Sequence, residues 1–200
     1  MSMYTAYVHL LKAHPLGMAA LQFMLLGTLG DWLAAKLRGG RMGGMEGLCK
    51  LPTWAILGIT VKYAFLGGTG ATGSLLEHGF LPGLGAFGFA FYKSLIVNTF
   101  YGPFMMIGHR LSDDYLARQG FRPGPILRDL PKARLWPGLA SIHWDSMRRS
   151  LSMIPIFWVP AHTLTFLLPE YLQVTMAAVW AIALGVMLGT FSRAAKTEAA

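Results

Sequence analysis

The chain has 200 residues, of which 54% are apolar and 13% charged, and its mean hydropathy is +0.47. Soluble domains carry charge on roughly a quarter of their residues, so this composition excludes an ordinary soluble domain. A formal net charge of +8 is compatible with nucleic-acid binding when taken alone. However, the cations lie between apolar runs and are not interleaved with aromatic residues on one polar face, so we expect no nucleic-acid partner.

Five apolar runs indicate an all-α integral membrane helical bundle, because a helix needs about 20 apolar residues to cross a bilayer. No Ser-rich or acidic linker divides the runs, so we expect one transmembrane helical domain over residues 1–200. It would contain about five membrane-spanning or membrane-embedded helices. In chain order the runs cover residues 16–35, 51–66, 81–107, 151–168 and 171–191.

Three of these runs differ from a straight spanning helix. The second is short and contains Lys62. The third would be about 40 Å long as one helix, more than the roughly 30 Å hydrocarbon core, so it must tilt, protrude or kink at Pro103. The fourth contains Pro155 and Pro160, each of which removes a backbone donor. Such breaks persist at membrane depth only where protein or water covers them.

The basic residues fall on alternate connections, and this pattern predicts the topology. Fourteen Lys and Arg residues follow the first, third or fifth run, whereas Lys12 alone lies on the opposite side. Because cations near span ends stay on the cytoplasmic or matrix side, we predict an N-terminus outside and a C-terminus inside. We expect membrane lipids with anionic headgroups to be the partner of the basic side. The fourteen are Lys36, Arg38, Arg41, Lys50, Arg110, Arg118, Arg122, Arg128, Lys132, Arg134, Arg148, Arg149, Arg193 and Lys196.

The long polar connection, residues 121–149, ends in an amphipathic pattern. Prolines divide its first half, and Leu139, Ile142, His143 and Met147 then recur at helical spacing. An interfacial amphipathic helix on the basic side has this pattern, and so has a helix that caps the bundle. Further on, Gly185 and Gly189 form a small-residue seam that lets helix backbones approach closely, within one chain or in a homo-oligomer.

Several segments resemble a known family. Tyr7, Leu11 and Pro15, followed by Gly-Thr-Leu-Gly-Asp at 27–31, resemble the start of the Mpv-seventeen and PMP-twenty-two peroxisomal membrane protein family. Lys93 and Pro103 stand at the spacing of that family's lysine and proline, and later residues are similar to its closing signatures. The positions that match are Pro15, Gly30, Asp31, Lys93, Pro103, Trp158, Phe166, Pro169 and Trp180.

The resemblance implies a small multi-pass protein of the mitochondrial inner, peroxisomal or a related membrane, and a bacterial inner membrane stays open. The activities proposed for the family are pore formation or small-solute passage, and protection of membrane homeostasis. The resemblance implies no enzymatic activity. A non-transporting membrane scaffold is the alternative.

Lys62 and Lys93 are candidate functional residues, because each lies about 17 Å into its run, near the middle of the hydrocarbon core. A charge at that depth costs about 2.5 kcal/mol or more unless water, an anion or a partner compensates it. One hypothesis is a water-filled path lined by Lys62, Lys93 and Asn98 that favours small anionic solutes. The other is a structural ion pair between Asp31 and Lys93, with Lys62 reaching outward.

A membrane-embedded, metal-dependent phosphotransferase is a further alternative. Asp113 and Asp114 resemble part of the acidic metal motif of CDP-alcohol phosphotransferases, but the later glycine and two further aspartates at helical spacing are absent. The sequence pattern gives neither His109 nor His162 a carboxylate at metal-ligand spacing. We therefore expect no metal, no cofactor and no catalytic residue.

Overall fold

The structure is a computed structural model that describes residues 2–132, 135–140, 142 and 144–198. Every regular element in those ranges is helical, which confirms the all-α class. Arg134 and His143, which entered the sequence patterns above, lie outside the described residues. The elements are α1 (Met3–Ala13), α2 (Pro15–Leu37), α3 (Gly44–Glu77), α4 (Gly85–Phe100), α5 (Gly102–Arg118), α6 (Pro123–Asp129), a 3-10 turn (Leu130–Lys132), α7 (Leu135–Ala140), α8 (Trp144–Met153), a π-helical turn (Ile154–Trp158), α9 (Val159–Phe166) and α10 (Glu170–Glu198).

The helices that hold the five apolar runs pack side by side as a bundle. α2 lies between α3 and α10, and α4 lies between α3 and α9. α9 also contacts α10, which closes the arrangement. The sequence reasoning did not anticipate α1, which begins at the N-cap Ser2 and packs against α2 and α10.

The second apolar run was expected to be short, but α3 is 34 residues long, about 51 Å at 1.5 Å per residue. It extends through Pro52 at one end and through the glycine cluster 67–73 at the other. A glycine is needed at Gly58, where an added Cβ would collide with the carbonyl oxygen of Ala19 on α2. At Gly185 a Cβ would lie 3.2 Å from the carbonyl oxygen of Gly30, so this part of the predicted seam packs within the chain.

Prolines lie where the third and fourth runs depart from a regular α-helix. The third run divides at Tyr101, and Pro103 lies in the first turn of α5. An N–H in the first turn has no partner within the helix, so the proline costs no helical hydrogen bond there. Of the three possibilities given for this run, namely tilt, protrusion or a kink at Pro103, the structure shows a break between two helices next to this proline. In the fourth run Pro155 lies in the π-helical turn and Pro160 in the first turn of α9. The chain continues through both as a helix.

The polar connection forms short helices under the bundle. α7 contacts α5, and α8 contacts both α5 and the π-helical turn. The amphipathic pattern is divided between α7 and α8, and its residues Ile142 and Met147 are buried. The apolar side of this segment therefore faces the bundle, which corresponds to the capping alternative.

Several polar and charged side chains lie inside the bundle beside an apolar core, and many large apolar side chains lie outside. On α2, Leu21, Leu25, Leu29 and Trp32 recur at every third or fourth residue, and each is more than 40% exposed. Helical spacing places these four residues on one face. The buried polar and charged residues are Gln22, Lys50, Lys62, Thr72, Lys93, Ser94, Asn98, His162, Thr163, Thr165 and Gln173.

Two of the described helices are candidate membrane spans by length and composition. They are α2 and the first part of α10, residues Glu170–Met187. Only 33% and 22% of these two windows are buried within the protein, so most of their surface faces outward.

Candidate functional site

A cavity of about 310 Å³ lies within the bundle, lined by residues of α2, α3, α5 and α10 and also by residues of α4, α8, α9 and the π-helical turn. Its lining residues on α2 and at the helix C-cap run from Phe23 to Arg38, which are fifteen positions apart and span about 22 Å along the helix axis. Most of its wall is apolar, with a few polar groups, and its volume lies within the range of small-molecule sites. It is therefore the candidate functional site.

The two ends of this cavity differ in charge and exposure. Asp31 and Asp113 have side chains that are 21% and 29% exposed, whereas Asn98 is only 3% exposed. The cavity is therefore partly exposed at the end with the two aspartates, which is its open end, and buried at the other. We call the open end the charged end, lined by Asp31, Arg38, His109, Arg110 and Asp113, and the closed end the inner end, lined by Asn98, Trp158 and His162.

Lys50 organises the charged end. Its Nζ lies 3.1 Å from Asp31 Oδ2 and 3.1 Å from Asp113 Oδ1, and this links α2, α3 and α5. Trp54 Nε1 donates to the same Asp31 oxygen at 3.1 Å. The hypothesis of a pair between Asp31 and Lys93 is therefore wrong. Asp31 pairs instead with Lys50, which lies at the same end of the bundle.

At the inner end, Asn98 fixes the orientation of His162. Asn98 Nδ2 donates to the carbonyl oxygen of Ser94 at 2.8 Å and to Ser94 Oγ at 3.2 Å, so its Oδ1 faces His162 Nδ1 at 3.2 Å. An amide oxygen only accepts, which requires the proton on Nδ1. The neutral imidazole then keeps Nε2 as an acceptor. The indole ring of Trp158 lies beside it, with ring centroids 5.1 Å apart.

Lys93 is enclosed by protein and does not line the cavity. Its Nζ donates to Gln173 Oε1 at 2.8 Å and lies 4.1 Å from the ring centroid of Phe166. The residue is 2% exposed. Gln173 is held in turn by a bond from its Nε2 to the carbonyl oxygen of Leu168. The cation thus has an amide and an aromatic face as partners.

Lys62 also lies away from the cavity. Its Nζ donates to Glu170 Oε1 at 2.9 Å, and the side chain of Glu170 is 56% exposed. The pair therefore lies near the surface, at the first turn of α10. Of Lys62, Lys93 and Asn98, which the sequence placed on one path, only Asn98 lines the cavity.

The positions of the family resemblance divide into three groups. Gly30, Asp31 and Trp158 line the cavity. Lys93, Phe166 and Trp180 pack between α4, α9 and α10, where Trp180 Nε1 donates to Thr165 Oγ1 at 3.0 Å. The prolines stand at helix starts. Pro15 begins α2, Pro103 lies in the first turn of α5 and Pro169 precedes α10.

The acidic residues on α5 take part in ion pairs. His109 Nδ1 lies 3.8 Å from Asp113 Oδ2 one helical turn later, so the expectation that His109 has no nearby carboxylate is wrong. Asp114 lies 3.3 Å from Arg110. Within the described ranges, no group of three or more His, Cys, Asp or Glu side chains is arranged to hold a metal ion.

Comparisons with protein-family models, with curated proteins and with solved structures find no match to this chain.

Proposed function

We propose that this protein is a small multi-pass integral membrane protein, without enzymatic activity, whose cavity provides passage for small solutes from the basic side. The observation that carries the proposal is the cavity itself, which extends from an open charged end to a closed polar end at the centre of the bundle. We also propose that the chain is a divergent member of the Mpv-seventeen and PMP-twenty-two family, on the residues named above.

The distribution of polar and apolar side chains supports a membrane setting. Exposed apolar residues on α2, such as Leu25 at 55% and Leu29 at 42%, would face lipid at little cost. Interior groups such as Lys93 and Asn98 have hydrogen-bond partners within the protein. Satisfying polar groups internally is the condition that the hydrocarbon core imposes. The five-pass topology remains a prediction from the cation pattern.

The charged end is on the side that the topology assigns to the inside. Arg38 and Arg110 line it, and both belong to the connections that carry most of the cations. A solute would therefore enter from the cytoplasmic or matrix side. The enclosed position of Lys93 corresponds to a closed conformation, and passage requires the inner end to open.

A non-transporting scaffold is the second candidate, and one observation favours it. Lys62 and Lys93, the two lysines inside apolar runs, have protein partners at 2.9 Å and 2.8 Å and do not need an anion. Under this alternative the two lysines stabilise helix packing and the cavity is a binding site without an exit.

Purified protein in liposomes separates the two candidates. We expect glycerol permeability in stopped-flow light scattering, and conductance in planar bilayers with ion substitution, above those of empty membranes. Ala181→Phe places a phenyl ring in the cavity wall and should abolish most of this activity. Val179→Phe is the matched control, because Val179 lies on the same helix but is 44% exposed.

Folded, reconstituted protein without glycerol flux and without conductance would refute the passage function. Equal activity of Ala181→Phe and Val179→Phe would show that solute does not use this cavity.

A further inference from the structure

Trp158 at the inner end carries a hydrogen-bond donor without an acceptor. The residue is 7% exposed, and its buried Nε1 has no partner within the described part of the chain. Roughly 90% or more of buried polar groups in native structures are paired, so an unpaired indole N–H indicates a missing partner. Trp158 also lines the cavity, although its Nε1 atom is covered, so a molecule in the cavity can supply that partner once the indole ring turns towards it.

His162 defines the complementary group. With its Nδ1–H donated to Asn98, the neutral ring retains Nε2 as an acceptor. The inner end therefore combines an N–H donor from Trp158 with an acceptor from His162, and both side chains line the same cavity. A carbonyl oxygen satisfies the donor alone, and a hydroxyl group can satisfy both.

The remaining wall of the inner end excludes a charged ligand group. Phe65 and Val97 are apolar, and the ionic side chains that line the cavity lie at the charged end. An ion placed among these residues would lose its hydration without a counter-charge in contact. The whole cavity, about 310 Å³, is roughly twice the volume of an engineered 150 Å³ cavity that binds benzene, so it has room for a two-ring molecule whose oxygen lies at the inner end.

We propose that the inner end binds a small, uncharged, largely apolar molecule with a carbonyl or hydroxyl oxygen that accepts the Nε1–H of Trp158. The Nε1 atom is covered in this conformation, so binding includes a rotation of the indole ring. The inference rests on the proposed function for the role of the cavity, and binding itself does not require passage. It names the class of molecule that the cavity takes.

The test compares 1-tetralone with tetralin, two molecules of nearly the same shape that differ in the ketone oxygen. Dissociation constants are measured by equilibrium dialysis of the purified protein in detergent, with empty micelles as the partition correction. We expect 1-tetralone to bind about fivefold more tightly than tetralin, the effect of one net hydrogen bond. Trp158→Phe keeps an aromatic ring but removes the donor, so the ratio should fall to about one.

Trp180→Phe is the matched control. Trp180 Nε1 already donates to Thr165, and the residue does not line the cavity, so this variant should keep the fivefold ratio. Absence of binding by either molecule, equal binding of both, or an unchanged ratio in Trp158→Phe would overturn the proposal.

If Trp158→Phe does not fold, the unmodified protein decides the question through its indole N–H resonances. One of them should move downfield with 1-tetralone and not with tetralin, and the absence of such a shift would overturn the proposal. Binding with the expected ratio but without solute flux would refute the passage function alone.

Discussion

Replacing Lys50 with methionine should destabilise the bundle strongly, because one ammonium group neutralises two carboxylates. Asp31 and Asp113 each contact Lys50 Nζ at 3.1 Å, so these two carboxylate oxygens are at most about 6 Å apart. At an effective dielectric constant of about 20, two negative charges at that distance repel by about 3 kcal/mol. Removing one partner of a buried ion pair typically costs about 3 to 5 kcal/mol.

The partial exposure of both carboxylates places the expected loss for Lys50→Met near the lower value, about 3 kcal/mol. Asp31→Asn alone should cost less, about 1 kcal/mol, because Lys50 keeps Asp113 and the amide oxygen can still accept from Trp54. In the Lys50→Met background, Asp31→Asn should increase the stability instead of lowering it, because it then removes a charge that repels Asp113. The double variant should be more stable than Lys50→Met alone.

Equilibrium unfolding in mixed detergent micelles measures these free energies. Lys36→Met is the control, since Lys36 is an exposed cation near the end of α2 that lies over the Trp32 ring. Surface substitutions of this kind change stability by about 0.5 kcal/mol or less. Equal losses in Lys50→Met and Lys36→Met, or additive losses in the double variant, would refute the shared ion pair.

Three further substitutions test the remaining contacts by the same unfolding measurement. Lys93→Met should change stability by less than about 1 kcal/mol or increase it, because it removes a buried charge that contacts no acidic side chain among the described residues, and a large loss would contradict this. Gln173→Leu should cost about 1 to 3 kcal/mol by leaving that ammonium without its acceptor, and should cost little once Lys93 is methionine. Glu170→Gln should cost about 1 kcal/mol or less, since its carboxylate is half exposed, and a cost above 3 kcal/mol would indicate a buried pair.

The helices could be anticipated because their signals are local. Apolar runs and prolines are patterns of neighbouring residues, so a change of course near Pro103 was one of the three possibilities that the length of the third run and its proline allowed. α3 was underestimated because glycines at 67–73 are usually loop residues. Of these glycines, Gly68 is closely packed on α4, where a Cβ would collide with Val97, whereas Gly67, Gly70 and Gly73 are helical without a neighbour within 4 Å of a Cβ.

The partners in the site could not be anticipated from residue type alone. One of the two hypotheses paired Asp31 with Lys93 because of residue type, but pairing depends on depth along the bundle axis. Asp31 lies near the end of the first run and Lys50 directly precedes the second, so the two residues lie at one level of the bundle. This signal was available in the sequence. The bond from Lys93 to Gln173 had no such signal, because an uncharged amide is seldom considered as the partner of a buried cation.

The two ends of the bundle are held with unequal strength. At the charged end, two carboxylates share Lys50 across three helices. At the opposite end, the first turn of α10 carries the positive end of the helix dipole towards Lys62 and Lys93, and only Glu170 in that turn supplies a negative charge. That carboxylate is half exposed and therefore contributes little. The contacts around Glu170 and Gln173 thus hold the helices together less strongly than those around Lys50. If the inner end opens to complete a passage, we expect the movement to begin at the start of α10.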